Sequence, residues 1–333
     1  MSSDTTRTIS LARYRSGQPI SVVLICRNKA QSLPYVIAAL ARNTQRPDLV
    51  ALSDDASTDR SPEIFAELCI HYNLPWKTVL HSHDGSGFRL NTLRNDGIEV
   101  CEDGLVIILD ADHVPARTHI EAHLELHSKY ERGVLSTGPR LEYAYPDCSG
   151  PISFMWGHEP VSMLQASAIE PVPTWAAVLA SNLGMTKQAI VQLGGFDPIY
   201  DGNYGFDDVD FTYRAWKAEI FFAASFEAYV VHIPHPAFHN RSGDINRQRF
   251  KQKFNIDLSY PKSIRSMSRR PWHEYYQALC KPDDSEARLS PPFSARQQIV
   301  VEMLALETIH SKILLRVVLS RILRRIYRTL GLR

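Results

Sequence analysis

Asp110 and Asp112 stand one residue apart at the end of the apolar run Leu105-Val106-Ile107-Ile108-Leu109. Two carboxylates at that spacing can hold a hard divalent cation, and a cation so held can neutralise a diphosphate. A second acid cluster, Ser53-Asp54-Asp55-Ala56-Ser57-Thr58-Asp59, follows another apolar run. Asp54 or Asp55 can accept hydrogen bonds from a nucleobase or ribose, while Asp59 or Ser61 can cap the helix beyond. Gly85-Ser86-Gly87-Phe88-Arg89-Leu90, followed by Arg94-Asn95, allows close backbone approach to a ligand and offers Arg89 or Arg94 to phosphate.

Tyr204-Gly205-Phe206-Asp207-Asp208-Val209-Asp210 places a third acid cluster at the start of a helical pattern, where the helix dipole favours negative charge. Neighbouring charge and burial can raise one carboxyl pKa there, which suits a general base; simple helix capping uses the same residues. In Val231-His232-Ile233-Pro234-His235, a neutral imidazole can complete the coordination of a borderline cation such as Mn²⁺.

These groups need strand ends and helix starts to position them. Apolar runs and helical spacing predict strands over Ile20 to Cys26, Leu49 to Ser53, Trp76 to Leu80 and Leu105 to Leu109. Helices are predicted between them, over Leu33 to Ala41, Ser61 to His71 and Leu90 to Cys101. That alternation predicts an α/β fold with a mostly parallel sheet, flanked by helices and joined by right-handed crossovers. Ligands of such sheets bind at the strands' C-terminal ends. Further on, Arg117 to Tyr130 and Asp207 to Lys217 read as helices, and Val134 to Tyr143 and Tyr229 to His232 as strands. Tyr145 to Pro173 is rich in Pro, Gly and Ser and reads as an insert or lid, with Trp156, His158 and Glu159 inside it. The organisation expected is a polar segment 1–18, a main domain 19–260 with halves 19–115 and 116–260 and the insert 145–173, and an extension 261–333.

The chain has 333 residues, room for one large α/β domain with appendages. A net charge of +1 gives no field to recruit nucleic acid. Five scattered cysteines with no Cys-x-x-Cys pair argue against a disulfide framework or a zinc knuckle. A polar N-terminus and the lack of a spanning apolar stretch predict a cytoplasmic protein. Between Thr308 and Arg333, seven Lys or Arg residues and no acid accompany an apolar face of Leu319, Ile322, Leu323, Ile326 and Leu330. Such a basic amphipathic helix suits the anionic inner face of a membrane, or packing on the body or on a second copy in a homo-oligomer.

As a set and in order, these residues resemble the family 2 glycosyltransferases, inverting enzymes of the GT-A fold. Ile20-Ser21-Val22-Val23-Leu24-Ile25 with Arg27-Asn28 is similar to the family's opening strand and loop, and the Asp54-Asp55 cluster to its nucleotide motif. Asp110-Ala111-Asp112 is similar to its Asp-x-Asp. Gly194-Gly195-Phe196-Asp197 and Phe206-Asp207-Asp208-Val209-Asp210 resemble its acceptor-side motifs, and the stretch from His232 to Asn246-Arg247-Gln248-Arg249-Phe250 resembles a galactosyltransferase-like C-terminal part.

The resemblance implies a nucleotide-sugar donor, with UDP favoured, bound by Arg27, Asp54, Asp55, Arg89, Arg94 and Asp110. It implies Mn²⁺ or Mg²⁺ on Asp112 and His232, with His235 or Asp110 as alternatives. Asp208 would be the catalytic base beside Asp207, and Asp207, Trp175 and Tyr204 would meet a glycan, lipid-linked or peptide acceptor. Three residues depart from the family pattern. His113 stands where a third acid is usual and could compete as a ligand, Asp207 replaces Glu, and Ala56 replaces a turn glycine. Two other functions fit part of the pattern: a non-catalytic glycan- or partner-binding module, and a sugar-nucleotide pyrophosphorylase. The latter would carry its Gly-rich loop after the first strand, not the third.

Overall fold

In a computed structural model, the described residues are 12–82, 87, 89–138, 140–143, 152–154, 175, 178–233 and 243–258. The first half alternates as its hydrophobic pattern requires: β1 (Ile20–Cys26), α1 (Leu33–Ala41), β2 (Leu49–Asp54), α2 (Ser61–His71), β3 (Trp76–Leu80), α3 (Leu90–Glu99) and β4 (Leu105–Asp110). Proline occupies the first turn of α1 and of α2, where its missing N–H costs nothing. Beyond β4 come β5 (His113–Pro115), α4 (His119–Lys129), β6 (Val134–Thr137), β7 (Arg140–Tyr143), β8 (Ile152–Phe154), β9 (Asn182–Thr186) and α5 (Lys187–Gln192). The order ends with α6 (Asp207–Lys217), β10 (Phe221–Ala224), β11 (Val230–His232) and α7 (Asp244–Phe254).

Seven strands form the main sheet in the order β10-β6-β9-β4-β1-β2-β3. It is parallel except at β9, which runs antiparallel to β4 and β6. Every residue of β1 is buried, because helices cover both faces of the sheet. Side chains alternate between those faces: Val22, Leu24, Ile107 and Leu109 join the core under α1 and α2, and Val23, Ile25, Val106 and Ile108 join the core under α3 and α5. Register then fixes the site, since Cys26 pairs with Asp54 and Ile25 with Asp110. The β1, β2 and β4 loops therefore leave the sheet side by side.

The strand expected over Val134 to Tyr143 is two strands in two sheets. β6 stays in the main sheet, and β7 joins a second sheet ordered β5-β11-β7-β8. The break falls at Gly138, where a Cβ would lie 2.1 Å from the carbonyl oxygen of Ala228. The third helix also ends two residues early, at Glu99 instead of Cys101.

α4 turns His119, His123 and His127 inward at helical spacing, all buried. Asn182 Nδ2 donates to the carbonyls of Gly138 (3.1 Å) and Ala228 (2.8 Å), so its Oδ1 accepts from His119 Nε2 (2.9 Å) and His123 Nε2 (3.2 Å). Ser136 Oγ lies 2.7 Å from His123 Nδ1 and 3.0 Å from His127 Nε2. Burial pushes all three imidazole pKa values down, to about 4 for His119 and for His127. The network thus ties the main sheet to the second sheet through neutral side chains.

No helix among the described residues is long and apolar enough to cross a membrane. The extension 261–333 with its basic helix, His235, and the insert other than 152–154, with Trp156, His158 and Glu159, lie outside the described residues.

Candidate active site

The β1 and β2 loops are stitched to each other. Asn28, at φ +54°, accepts from the Thr58 N–H at 2.7 Å and donates its own N–H to Ser57 Oγ at 2.7 Å. Asp54 closes its own turn, accepting from Ser57 N–H (2.8 Å) and Ser57 Oγ (2.5 Å). Ala56, replacing the turn glycine, does take a left-handed φ of +51°. Asp59 accepts from Ser61 N–H at 3.0 Å and anchors the start of α2. Asp54 is therefore spent on the turn.

Asp55, 3% exposed, lies between two arginines. Arg27 Nη1 is 3.3 Å from Oδ2, Arg89 Nε is 2.9 Å from Oδ1, and Arg89 Nη2 contacts the same oxygen. Asp55, Arg27 and Arg89, expected at the nucleotide, thus form one charge-assisted cluster beside the strand ends.

Asp110 and Asp112 flank His113, which opens β5. His113 Nδ1 is 3.2 Å from Asp112 Oδ1 and 3.6 Å from Asp110 Oδ2. One ligating atom from each of the three lies within 4.8 Å of the others. His113 is 1% exposed; its Nδ1 faces the Asp112 carboxylate, and among the described residues its Nε2 has no hydrogen-bond partner, nor has Asp110 Oδ1. Burial lowers the His113 pKa despite the two carboxylates, so the ring is held neutral with a lone pair to give. The two carboxylates suit Mn²⁺ or Mg²⁺, and the neutral imidazole favours Mn²⁺ of the two. His232 pairs with His113 across β5 and β11, and its Nε2 lies 3.7 Å from Asp112 Oδ2.

Lys29 was not foreseen. Its Nζ is 2.5 Å from Asp112 Oδ2. Nothing in Arg27-Asn28-Lys29 marks which cation turns inward; only the pairing of β1 with β4 decides it.

α3 carries the link to the acceptor side. Asp201, also not foreseen, caps it from 110 residues away, accepting from the Asn91 and Thr92 N–H groups at 2.9 and 3.1 Å. Asn95 exchanges hydrogen bonds with the Phe196 backbone at 2.7 and 2.8 Å, tying Gly194-Gly195-Phe196-Asp197 to α3. Arg94 corrects an expectation. It is 3% exposed and engaged by carboxylates, with Nη1 2.5 Å from Asp207 Oδ2 and Nη2 3.2 Å from Asp208 Oδ1. Burial beside two carboxylates puts it there.

Asp207 and Asp208 open α6, where N–H groups lack helical partners. Burial, then the Asp207 charge, raise the Asp208 pKa to about 7; Arg94 opposes the rise, and Asp110 is near enough to add to it. Asp210 is instead structural, accepting from Tyr200 Oη (3.1 Å), Arg214 Nε (2.7 Å) and Lys253 Nζ (2.6 Å). Trp175, expected at the acceptor, is 5% exposed and packs on Tyr213 and Phe250, with ring centroids 4.8 and 6.1 Å away. Its role in the structure is packing. Tyr204 lies at the surface, 37% exposed.

Residues 21–147 match the family described as Glycosyl transferase family 2. In structure, the chain is similar to S. aureus TarS 1-349 in complex with UDP-GlcNAc. The TM-score is 0.53 at 13% identity, covering 86% of this chain and 80% of that one. A mannosyltransferase, PcManGT from Pyrobaculum calidifontis in complex with GDP-Man and Mn²⁺, gives a TM-score of 0.48 at 15% identity, covering 96% of this chain and 84% of that one. No curated protein matches the chain in sequence.

Proposed function

From the premise that the chain is a glycosyltransferase with a family 2 domain and the GT-A fold, we propose that it moves a hexose or N-acetylhexosamine from a UDP-sugar to an acceptor hydroxyl, with inversion. The observation that carries this reading is the Asp207-Asp208 pair at the start of α6, held by the buried Arg94 guanidinium at 2.5 and 3.2 Å, where burial and the Asp207 charge raise the Asp208 pKa.

The Asp55 cluster, joined by Arg27 and Arg89 at the strand ends, would read a uracil and ribose by hydrogen bonds. The UDP-GlcNAc complex of the S. aureus structure supports a donor of that class. Asp110, Asp112 and His113 would hold a divalent cation, which when bound neutralises the diphosphate and stabilises the leaving oxygen. His113 is the imidazole that groups with both Asp110 and Asp112 within 4.8 Å, so we rank it ahead of His232, 3.7 Å from Asp112, as the third ligand.

The Asp208 carboxylate takes the proton of an acceptor hydroxyl as that oxygen attacks the anomeric carbon. A carbon–oxygen bond forms on one face while the bond to the diphosphate breaks on the other. The electron pair leaves with UDP, and the proton stays on Asp208. Arg94 holds Asp207 and Asp208 in place, and Asp207 is left to orient acceptor hydroxyls.

Asp208→Asn tests the reading. Sugar transfer is expected to fall by ~10²-fold or more while UDP binding is retained. Transfer at the parent rate, or loss of UDP affinity, removes Asp208 from this role.

A further inference from the structure

The Lys29 ammonium is built into the cation site. Its backbone is pinned on two sides: its N–H donates to Ser61 Oγ at 2.7 Å, and its carbonyl accepts the Leu33 N–H at 3.0 Å as α1 begins. Ser32 Oγ lies 3.1 Å from that carbonyl and 2.8 Å from the carbonyl of Ala111, between the two site aspartates. The side chain is largely buried, at 18% exposure, with Nζ 2.5 Å from Asp112 Oδ2. This is no surface pair free to swing: the segment bearing the lysine and the segment bearing Asp112 are bonded to each other.

The charges have a consequence. Asp112 turns Oδ1 toward His113 and Oδ2 toward Lys29. Asp110 and Asp112 carry two negative charges and Lys29 offsets one of them, so with Arg94, Arg140, Asp207 and Asp208 acting from further out in either case, Lys29 makes the bare cluster one charge less attractive to a divalent cation. Cation binding alone leaves a positive excess in a poorly solvated place, which is unfavourable. A diphosphate removes that excess.

We propose that Lys29 sets the order of loading: it holds the affinity of the bare site for a divalent cation low and draws a diphosphate, so that cation and nucleotide diphosphate bind as a pair. This rests on the reading of Asp110 and Asp112 as cation ligands. Lys29 is a positioning and specificity residue that acts through charge on Asp112.

The experiment is calorimetric titration of the full chain with Mn²⁺ alone, UDP alone, and UDP at saturating Mn²⁺, for the parent and for Lys29→Met, Lys29→Gln and Lys29→Arg. Lys29→Met and Lys29→Gln are expected to bind Mn²⁺ alone roughly tenfold more tightly and UDP alone roughly tenfold more weakly. Lys29→Arg restores the parent pattern. The opposite signs are the diagnostic, since a merely structural lysine would weaken both ligands together. A neutral variant that binds Mn²⁺ no more tightly than the parent overturns the proposal and leaves the site reading standing. If neither the parent nor the neutral variants bind Mn²⁺, the proposal and the cation-site reading fall together.

Discussion

The imidazoles of His113 and His232 stack across β5 and β11, with ring centroids 5.2 Å apart and planes 29° from parallel. Asp112 meets both, at 3.2 Å from His113 Nδ1 and 3.7 Å from His232 Nε2. The inner ring is fully buried with its Nδ1 turned to the Asp112 carboxylate, where its lone pair would be available to a bound cation. His113→Leu keeps the packing and removes the donor. It is expected to weaken Mn²⁺ binding by at least about tenfold, with the melting temperature retained. His232→Ala should cost less. Mn²⁺ titration beside thermal melts checks both, and the reverse ranking would return the ligand role to His232.

The acid limb of the rate profile reports Asp208. Its folded pKa is raised to about 7, chiefly by burial and then by the Asp207 charge. The base works deprotonated, so kcat/KM for transfer should rise with pH up to about 7 and level above it, losing ~10-fold per unit below. Asp207→Asn removes the like charge, so the limb should move to lower pH. A pH profile of parent and variant decides the point; an unmoved limb would assign it to another group.

Where burial wrote the pattern, the sequence was readable. β1, α1 and α2 fall within the expected bounds because their apolar residues are buried or a proline marks the first turn, and β3 does so as a largely exposed edge strand read from its β-forming residues alone. The strand-end acids were legible for the same reason, since the end of an apolar run locates the end of a strand. Partners across long separations were not. Asp201 capping α3, Lys29 meeting Asp112, and Arg94 meeting Asp207 depend on loop closure, which no period records. The split at Gly138 had a visible glycine, but the Ala228 carbonyl that forbids a side chain lies 90 positions on.

Acid should destabilise the fold through α4. In the unfolded chain the imidazoles of His119, His123 and His127 bind protons as pH falls through about 6.5. In the folded chain burial keeps His119 and His127 neutral down to about 4, and lowers His123 well below its ordinary value. The native state therefore binds fewer protons across that window. The stabilisation is complete above about 6.5 and declines as pH falls toward 4. At pH 5, His119 and His127 should each cost ~2 kcal/mol relative to pH 7. Urea unfolding at the two pH values measures the loss. His119→Gln can still donate to Asn182 Oδ1, and should show a shallower pH dependence than the parent.

Gly138 is where the two sheets part, and it is expected to tolerate no side chain. A Cβ there would stand 2.1 Å from the Ala228 oxygen and 2.8 Å from the Ala228 Cβ. Neither neighbour can yield freely, because Asn182 Nδ2 holds the Gly138 and Ala228 carbonyls together. Gly138→Ala should therefore cost ~1–3 kcal/mol, lowering the melting temperature by roughly 2–4 °C per kcal/mol. The strain also reaches the site, since Ala228 leads into β11, which pairs with the β5 strand that begins at His113. Mn²⁺ affinity should fall in the same variant although no ligand is altered. Thermal melts and Mn²⁺ titration of Gly138→Ala test the two effects separately. A lowered melting temperature with unchanged affinity would mean that the second sheet holds its place on the main sheet without the Gly138 contact.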